Sequence, residues 1–220
     1  MTNPFDIDQA IAHLRAAVEP FPKAAMFALA DEGFDSLFEQ LIACIISIRT
    51  YDEVSLPVSR HLFTQANTPE AMSQLSITEI ESLIRESTYA DRKAAQIHAI
   101  ATQIIDQHDG ELPSDVNVLL SFNGVGPKCA HLALGVACHQ PYISVDTHVH
   151  RVTNRWGYVQ TKTPEKTTLA LAAQLPKQYW IEINRLLVPF GKHICTGTRP
   201  HCSTCPLLDR CEQVGVPNHR

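Results

Sequence analysis

The chain has 220 residues, 45% of them hydrophobic and 19% charged, proportions that exclude disorder as the default state. Its net charge of −5 hides a split: residues 1–127 carry 7 basic and 18 acidic side chains and residues 128–220 carry 11 and 5, so a basic C-terminal third can still offer a positive face to phosphate. The longest apolar-rich stretch, Leu37 to Ile48, is broken by Glu39 and Gln40, and the N-terminus lacks a basic-then-apolar pattern, so neither a membrane span nor a secretory signal is expected.

Taken in chain order, the predicted elements are helical almost throughout. Asp6 or Asp8 can cap a first helix over Ile7–Val18, which Pro20 and Pro22 end. Phe34, Leu37, Phe38, Leu41, Ile42, Ile45 and Ile46 step by three and one, the pattern of one buried helix face. Thr68-Pro69-Glu70 and Thr163-Pro164-Glu165 each supply a cap followed by Pro in the first turn. Ile80, Leu83 and Ile84, then Ile97, Ile100, Ala101 and Ile104, repeat the helical period, and a short helix is predicted over Ser114–Phe122. Nothing alternates like a strand, so the fold class is all-α, without internal repeats.

Phe122-Asn123-Gly124-Val125-Gly126 joins that short helix to a second one opening at Pro127-Lys128-Cys129-Ala130. Two helices joined by Gly-Val-Gly form a helix-hairpin-helix; the glycines permit positive φ and a close backbone approach, and the second helix points free N–H groups outward, where a DNA phosphate fits. A lysine at a helix N-terminus is electrostatically misplaced, which favours the neutral amine of Lys128 as a nucleophile. Asp146, before Thr147-His148, reads as an N-cap.

Cys195, Cys202, Cys205 and Cys211 follow the spacing C-x6-C-x2-C-x5-C. In the reducing cytoplasm expected for this chain, four thiols on one tight loop are a metal or cluster site, and the spacing leaves both a [4Fe-4S] cluster and zinc open. Lys192, His193, Arg199, His201 and Arg210 lie in or beside this loop, a basic coat that a phosphate-facing loop needs and a redox centre does not. Cys44, Cys129 and Cys138 lie on apolar helical faces and read as small core residues.

Together these motifs resemble the endonuclease III family of DNA glycosylases, over nearly the whole chain from Phe34 to Cys211. The resemblance rests on Phe122–Ala130 with Gly124, Val125, Gly126 and Lys128, on Val145-Asp146-Thr147-His148 with Arg151-Val152, and on the four-cysteine spacing. It implies a six-helix barrel over 30–140, a second helical domain made of 1–29 and 141–220 that carries a [4Fe-4S] cluster, and a DNA cleft between them. It further implies a monomer acting at the nucleoid on double-stranded DNA that contains oxidised pyrimidines or abasic sites. Lys128 would attack C1′ of a flipped nucleoside and expel the base, Asp146 would assist, and β-elimination from the Schiff base would cut the strand on the 3′ side. Gly124, Val125, Gly126, His148, Arg151, Lys192 and Arg199 would meet the DNA backbone. Arg49, where many members carry Gln, would reach the orphaned base, and Tyr89 would stand as a stacking wedge where many carry an aliphatic side chain. Three alternatives remain: an adenine-type glycosylase, which usually lacks a lysine at the Lys128 position and carries a further C-terminal domain; a non-catalytic DNA-binding module, which would not need Lys128 and Asp146 together; and a zinc-ribbon interaction protein, which an absorption band near 400 nm would exclude.

Overall fold

The computed structural model describes residues 5–220. Among these residues all regular structure is helical, with no strand, and no helix is long and apolar enough to cross a membrane. The fold divides into two units, one made of the N-terminal stretch through Ala24 with Ile143–Arg220, the other of Ala25–Tyr142.

The first unit starts with α1 (Ile7–Val18), whose cap is Asp6: its Oδ1 accepts the Gln9 N–H at 3.0 Å, while Asp8 sits in the first turn. The chain returns to this unit with α10, as numbered in chain order after the eight helices of the second unit. Those eight are α2 (Ala25–Asp31), α3 (Leu37–Ser47), α4 (Asp52–Gln65), α5 (Pro69–Gln74), α6 (Ile77–Leu83), α7 (Ala90–His108), α8 (Val116–Ser121) and α9 (Pro127–Cys138). In α3 every residue from Phe38 to Ile46 is buried, because α4 and α9 both pack against it. The sequence period placed Phe34 on this helix, but Ser36 caps it in a capping box with Glu39, so Phe34 falls in the preceding loop and its ring packs on Phe63 instead. Gln40, fully buried, donates to the carbonyls of Met26 and Phe34 and ties that loop down. The short helix α8 likewise starts later than its sequence suggests, since Asp115 rather than Ser114 provides the cap.

The first unit is completed by α10 (Thr147–Arg155), α11 (Pro164–Gln174) and α12 (Glu182–His193). Ile11 and Leu14 of α1, Val149 and Val152 of α10, Leu171 of α11, and Ile183, Leu187 and Phe190 of α12 share one core with Trp156. Apolar residues more than 130 positions apart thus bury one another, which explains why the N-terminal helix belongs with the C-terminal ones.

Candidate active site and cysteine centre

The hairpin is built as the glycine pattern suggests, but its two glycines do different work. Gly124 has φ +77, and a Cβ there would meet Gln96 Nε2 at 2.8 Å; Gln96 in turn donates to the Asn123 carbonyl at 2.8 Å and fixes the turn. Gly126 adopts ordinary extended backbone, φ −100, with open space where a Cβ would stand. Its lack of a side chain therefore serves no dihedral need and instead leaves the α9 N-terminus uncovered, with no side-chain cap. Pro127 opens α9, Lys128 follows half-buried, and Cys129 is buried behind it. Val125, the residue between the glycines, is buried at 7% exposure and plugs the hairpin into its own unit.

Asp146 caps α10: its Oδ1 accepts the N–H groups of His148 at 2.9 Å and Val149 at 2.8 Å. One carboxylate oxygen is thus spent on the helix, and the half-buried side chain keeps its second oxygen outside these two bonds. His148 and Arg151, one turn apart, are drawn into the fold. Arg151 donates to the carbonyls of Gly191 at 2.8 Å and Cys195 at 3.2 and 3.3 Å, and lies 3.1 Å from His148 Nδ1. Desolvation lowers the Arg151 pKa from its ordinary value, as burial of a cation should. The guanidinium anticipated as a phosphate contact therefore spends these donors on holding α10 to the end of α12, because the carbonyls there have no helical partners of their own.

Arg49 and Tyr89 come together within the second unit. Both are exposed, both have positive φ, +55 and +59, and Arg49 Nη1 reaches Tyr89 Oη at 3.5 Å. The Arg92 guanidinium lies over the Tyr89 ring, 5.7 Å from its centroid. For residues with a Cβ this left-handed backbone costs about 1–2 kcal/mol each, so something must hold it. Thr88 does so from one side: its N–H donates to Thr50 Oγ1 at 3.1 Å and its hydroxyl to the Arg49 carbonyl at 2.9 Å. Lys93 does so from beneath. Its ammonium, on a side chain only 5% exposed, donates to the carbonyls of Ile46 at 2.6 Å and Ile48 at 2.9 Å and to Thr50 Oγ1 at 3.0 Å. Burial pulls the Lys93 pKa down to about 8. The sequence reading missed this lysine, yet a signal was present. Position 93 continues the apolar stripe of Ile97, Ile100 and Ile104 at helical spacing, and a charge on such a stripe needs partners.

The four cysteines of the C-terminal loop line one small cavity with Arg155, Trp156, Phe190, Ile194, Pro200 and Val216. All four are half-buried free thiols. Burial pushes Cys205 up to about 11 and also raises Cys211. Arg155, 9% exposed, organises the entry to the loop by donating to the carbonyls of Thr196 at 2.6 Å and Gly197 at 2.8 Å and to Cys195 Sγ at 3.4 Å. Among the described residues no three of His, Cys, Asp or Glu converge tightly enough to hold a single metal ion; the four cysteines share the lining of one small cavity instead. Lys192 is half-buried at the end of α12, and Arg199 is exposed with φ +48. Of the remaining cysteines, Cys44 and Cys129 are core residues, whereas Cys138, at the last turn of α9, is only half-buried because the helix ends there.

A model of the HhH-GPD superfamily of base excision DNA repair proteins matches residues 42–177. Endonuclease III of Thermotoga maritima is 38% identical over 175 residues, which cover 80% of this chain and 82% of that one. The chain belongs to the endonuclease III family. Endonuclease III homolog 2 of Arabidopsis thaliana, described as chloroplastic, is 40% identical over 79% of this chain, which spans about half (47%) of that longer protein. In structure, a non-covalent Endonuclease III–DNA complex superposes with a TM-score of 0.83 at 28% identity, covering 97% of both chains. For this endonuclease III family member the superfamily match takes in Arg49, Tyr89, the hairpin, Lys128, Asp146, His148 and Arg151, and it ends before the four cysteines.

Proposed function

We propose that the protein is a bifunctional DNA glycosylase and abasic-site lyase of base excision repair, acting as a monomer at the nucleoid on duplex DNA with oxidised pyrimidines. The observation that carries this reading is Lys128 in the first turn of α9, directly after a glycine turn that leaves the helix N-terminus uncovered, in a chain so similar to Endonuclease III. The likeness to a protein solved in complex with DNA supports DNA as the partner. The N-terminal end of α9 after Gly126, which carries no side-chain cap, suits a phosphate oxygen, which would bring the sugar of a flipped nucleotide to the amine.

Lys128 Nζ then attacks C1′ as the bond to the base breaks. The base leaves with the electron pair of that bond and takes up a proton; the nitrogen then loses a proton and its lone pair forms the C1′=N bond as the C1′–O4′ bond breaks, the ring oxygen leaving as a protonated hydroxyl, which gives the Schiff base. Loss of a C2′ proton expels the 3′ phosphate by β-elimination. The Asp146 oxygen not committed to the helix cap takes a proton from the lysine or faces the positive charge growing on the sugar. Arg49 and Tyr89 fill the space left by the flipped nucleotide, the ring stacking and the guanidinium meeting the orphaned base.

The four cysteines would hold a [4Fe-4S] cluster. The donor set fits: four thiols lining one cavity offer one sulfur to each of the four irons, and they would bind as thiolates, releasing their protons to solvent. Once bound, the group would supply cohesion to a loop with little regular structure and would set Arg199 and Lys192 toward the DNA backbone.

Borohydride trapping on DNA containing thymine glycol tests this function. Wild type should form a covalent adduct and Lys128→Gln should form none while still binding duplex. An adduct formed by Lys128→Gln at the wild-type rate would remove Lys128 from the role.

A further inference from the structure

The mechanism leaves one pair of reactive groups unused. Cys44, in the middle of α3, and Cys129, in the first turn of α9, place their sulfurs 2.7 Å apart. Both thiols are free and both are buried, at 0% and 4% exposure. They sit where α3 and α9 pack on each other, and Cys129 immediately follows Lys128. We propose that Cys44 and Cys129 are a peroxide-oxidised dithiol whose disulfide joins α3 to α9 beside Lys128 and raises the reactivity of that lysine.

Several features favour the chemistry. The two sulfurs are already in direct contact, so bond formation needs only a short movement of the side chains. The hydrogen bond shared by the two sulfurs draws the Cys44 thiol down to about 7 against the opposing effect of burial, with the Lys128 charge and Ser47 adding to the pull. The second proton of the pair is held more tightly, first by that shared hydrogen bond and then by burial. The pair therefore gives up its first proton more readily than an ordinary thiol does, and thiolate is the form that peroxide oxidises.

The thiolate sulfur attacks one peroxide oxygen, the O–O bond breaks, and hydroxide leaves to become water. The resulting sulfenic sulfur is attacked by the second thiol; the S–S bond forms, the S–O bond breaks, and a second water departs with the thiol proton. Two thiols are oxidised by two electrons and one peroxide is reduced to two waters. Burial selects the oxidant, since hydrogen peroxide is small enough to reach these sulfurs through local fluctuations and a glutathione disulfide is not.

The consequence for Lys128 follows from charge. A thiolate near the lysine stabilises its ammonium and so withholds the amine; a disulfide carries no charge and releases it. This second half rests on Lys128 as the nucleophile. The device would make the enzyme faster under the same oxidant that creates oxidised pyrimidines.

The test uses the cluster-loaded full chain, treated with hydrogen peroxide while its absorption near 400 nm is followed. Each sample is divided between peptide mapping after alkylation and borohydride trapping on duplex DNA with an abasic site. A peptide pair linked through Cys44 and Cys129 should appear in wild type and not with oxidised glutathione, and trapping should become several-fold faster. Cys44→Ser and Cys129→Ser should give no link and no peroxide response. Absence of the linked peptides overturns the proposal, and a link with unchanged or slower trapping overturns the coupling to lysine. If Lys128→Gln traps like wild type, the nucleophile assignment fails instead, and the peptide map still decides whether the disulfide forms.

Discussion

Two loop regions of this protein are held in contrasting ways. The Arg49 and Tyr89 loops carry strained backbone, yet each is tied by hydrogen bonds from within its own unit, through Thr50, Thr88 and the buried ammonium of Lys93. The cysteine loop has two 3-10 turns of three residues each, four half-buried thiols around a cavity, and an anchor from Arg155 at its entry. The first region is finished by the polypeptide alone. The second carries four half-buried thiols that line one small cavity, and its cohesion should depend on the cluster proposed for them. Pre-organisation can be supplied by a buried lysine or by an inserted group, and the two fail differently when removed.

The largest loss is expected outside both regions, at the proposed catalytic carboxylate. Asp146→Asn keeps an oxygen to cap α10 and removes the charge; base excision should fall by about 10² to 10⁴-fold with the melting temperature nearly unchanged. Turnover within a few-fold of wild type would reduce Asp146 to a helix cap. Next in size, Cys202→Ser should lose bound iron and the brown colour together, and the melting transition should drop by roughly 10 °C or split. An active, colourless variant that retains zinc would break the comparison at its cysteine end.

The other end of the comparison should yield smaller effects that concern DNA rather than folding. Arg49→Ala and Tyr89→Ala should each lower activity on duplex lesions about tenfold, within the range of an aromatic–base contact. An abasic site in single-stranded DNA, where no base must be displaced, should be cleaved almost normally. Equal losses on both substrates would mean that the two side chains are ordinary surface positions. Lys93→Met should reproduce a milder, roughly threefold form of that split through KM, and Lys93→Arg should restore part of it, because only a donor can hold the Ile46 and Ile48 carbonyls.

The smallest effect is one of pH. Lys93 is held at about 8 by burial, below the ordinary lysine value, so the unfolded chain keeps this proton to higher pH than the folded one. The cost of the buried charge is fully present below about pH 8 and is relieved as pH rises from there toward the ordinary value of about 10.4. Over that window wild type should gain stability relative to Lys93→Met, measured by urea denaturation of both. A difference that stays flat would show that the ammonium suffers no penalty in its pocket.

Much of this was legible in the sequence because the information is local. Helical periods, the Asp6 and Asp146 caps, the glycine turn and the cysteine spacing each depend on residues within one or two turns of one another, and the helices and caps appear with boundaries within a few residues of expectation. Phe34 and Ser114 were misplaced by competition between neighbouring caps, which periodicity does not register. What only the tertiary structure decided involves partners distant in sequence. Lys93 finds carbonyls more than forty positions away, Arg151 turns inward to Gly191 and Cys195, and Cys44 meets Cys129 across two helices. A buried polar or reactive group is defined by whatever packing brings to it, and a linear pattern can mark such a residue as out of place without naming the atoms that satisfy it.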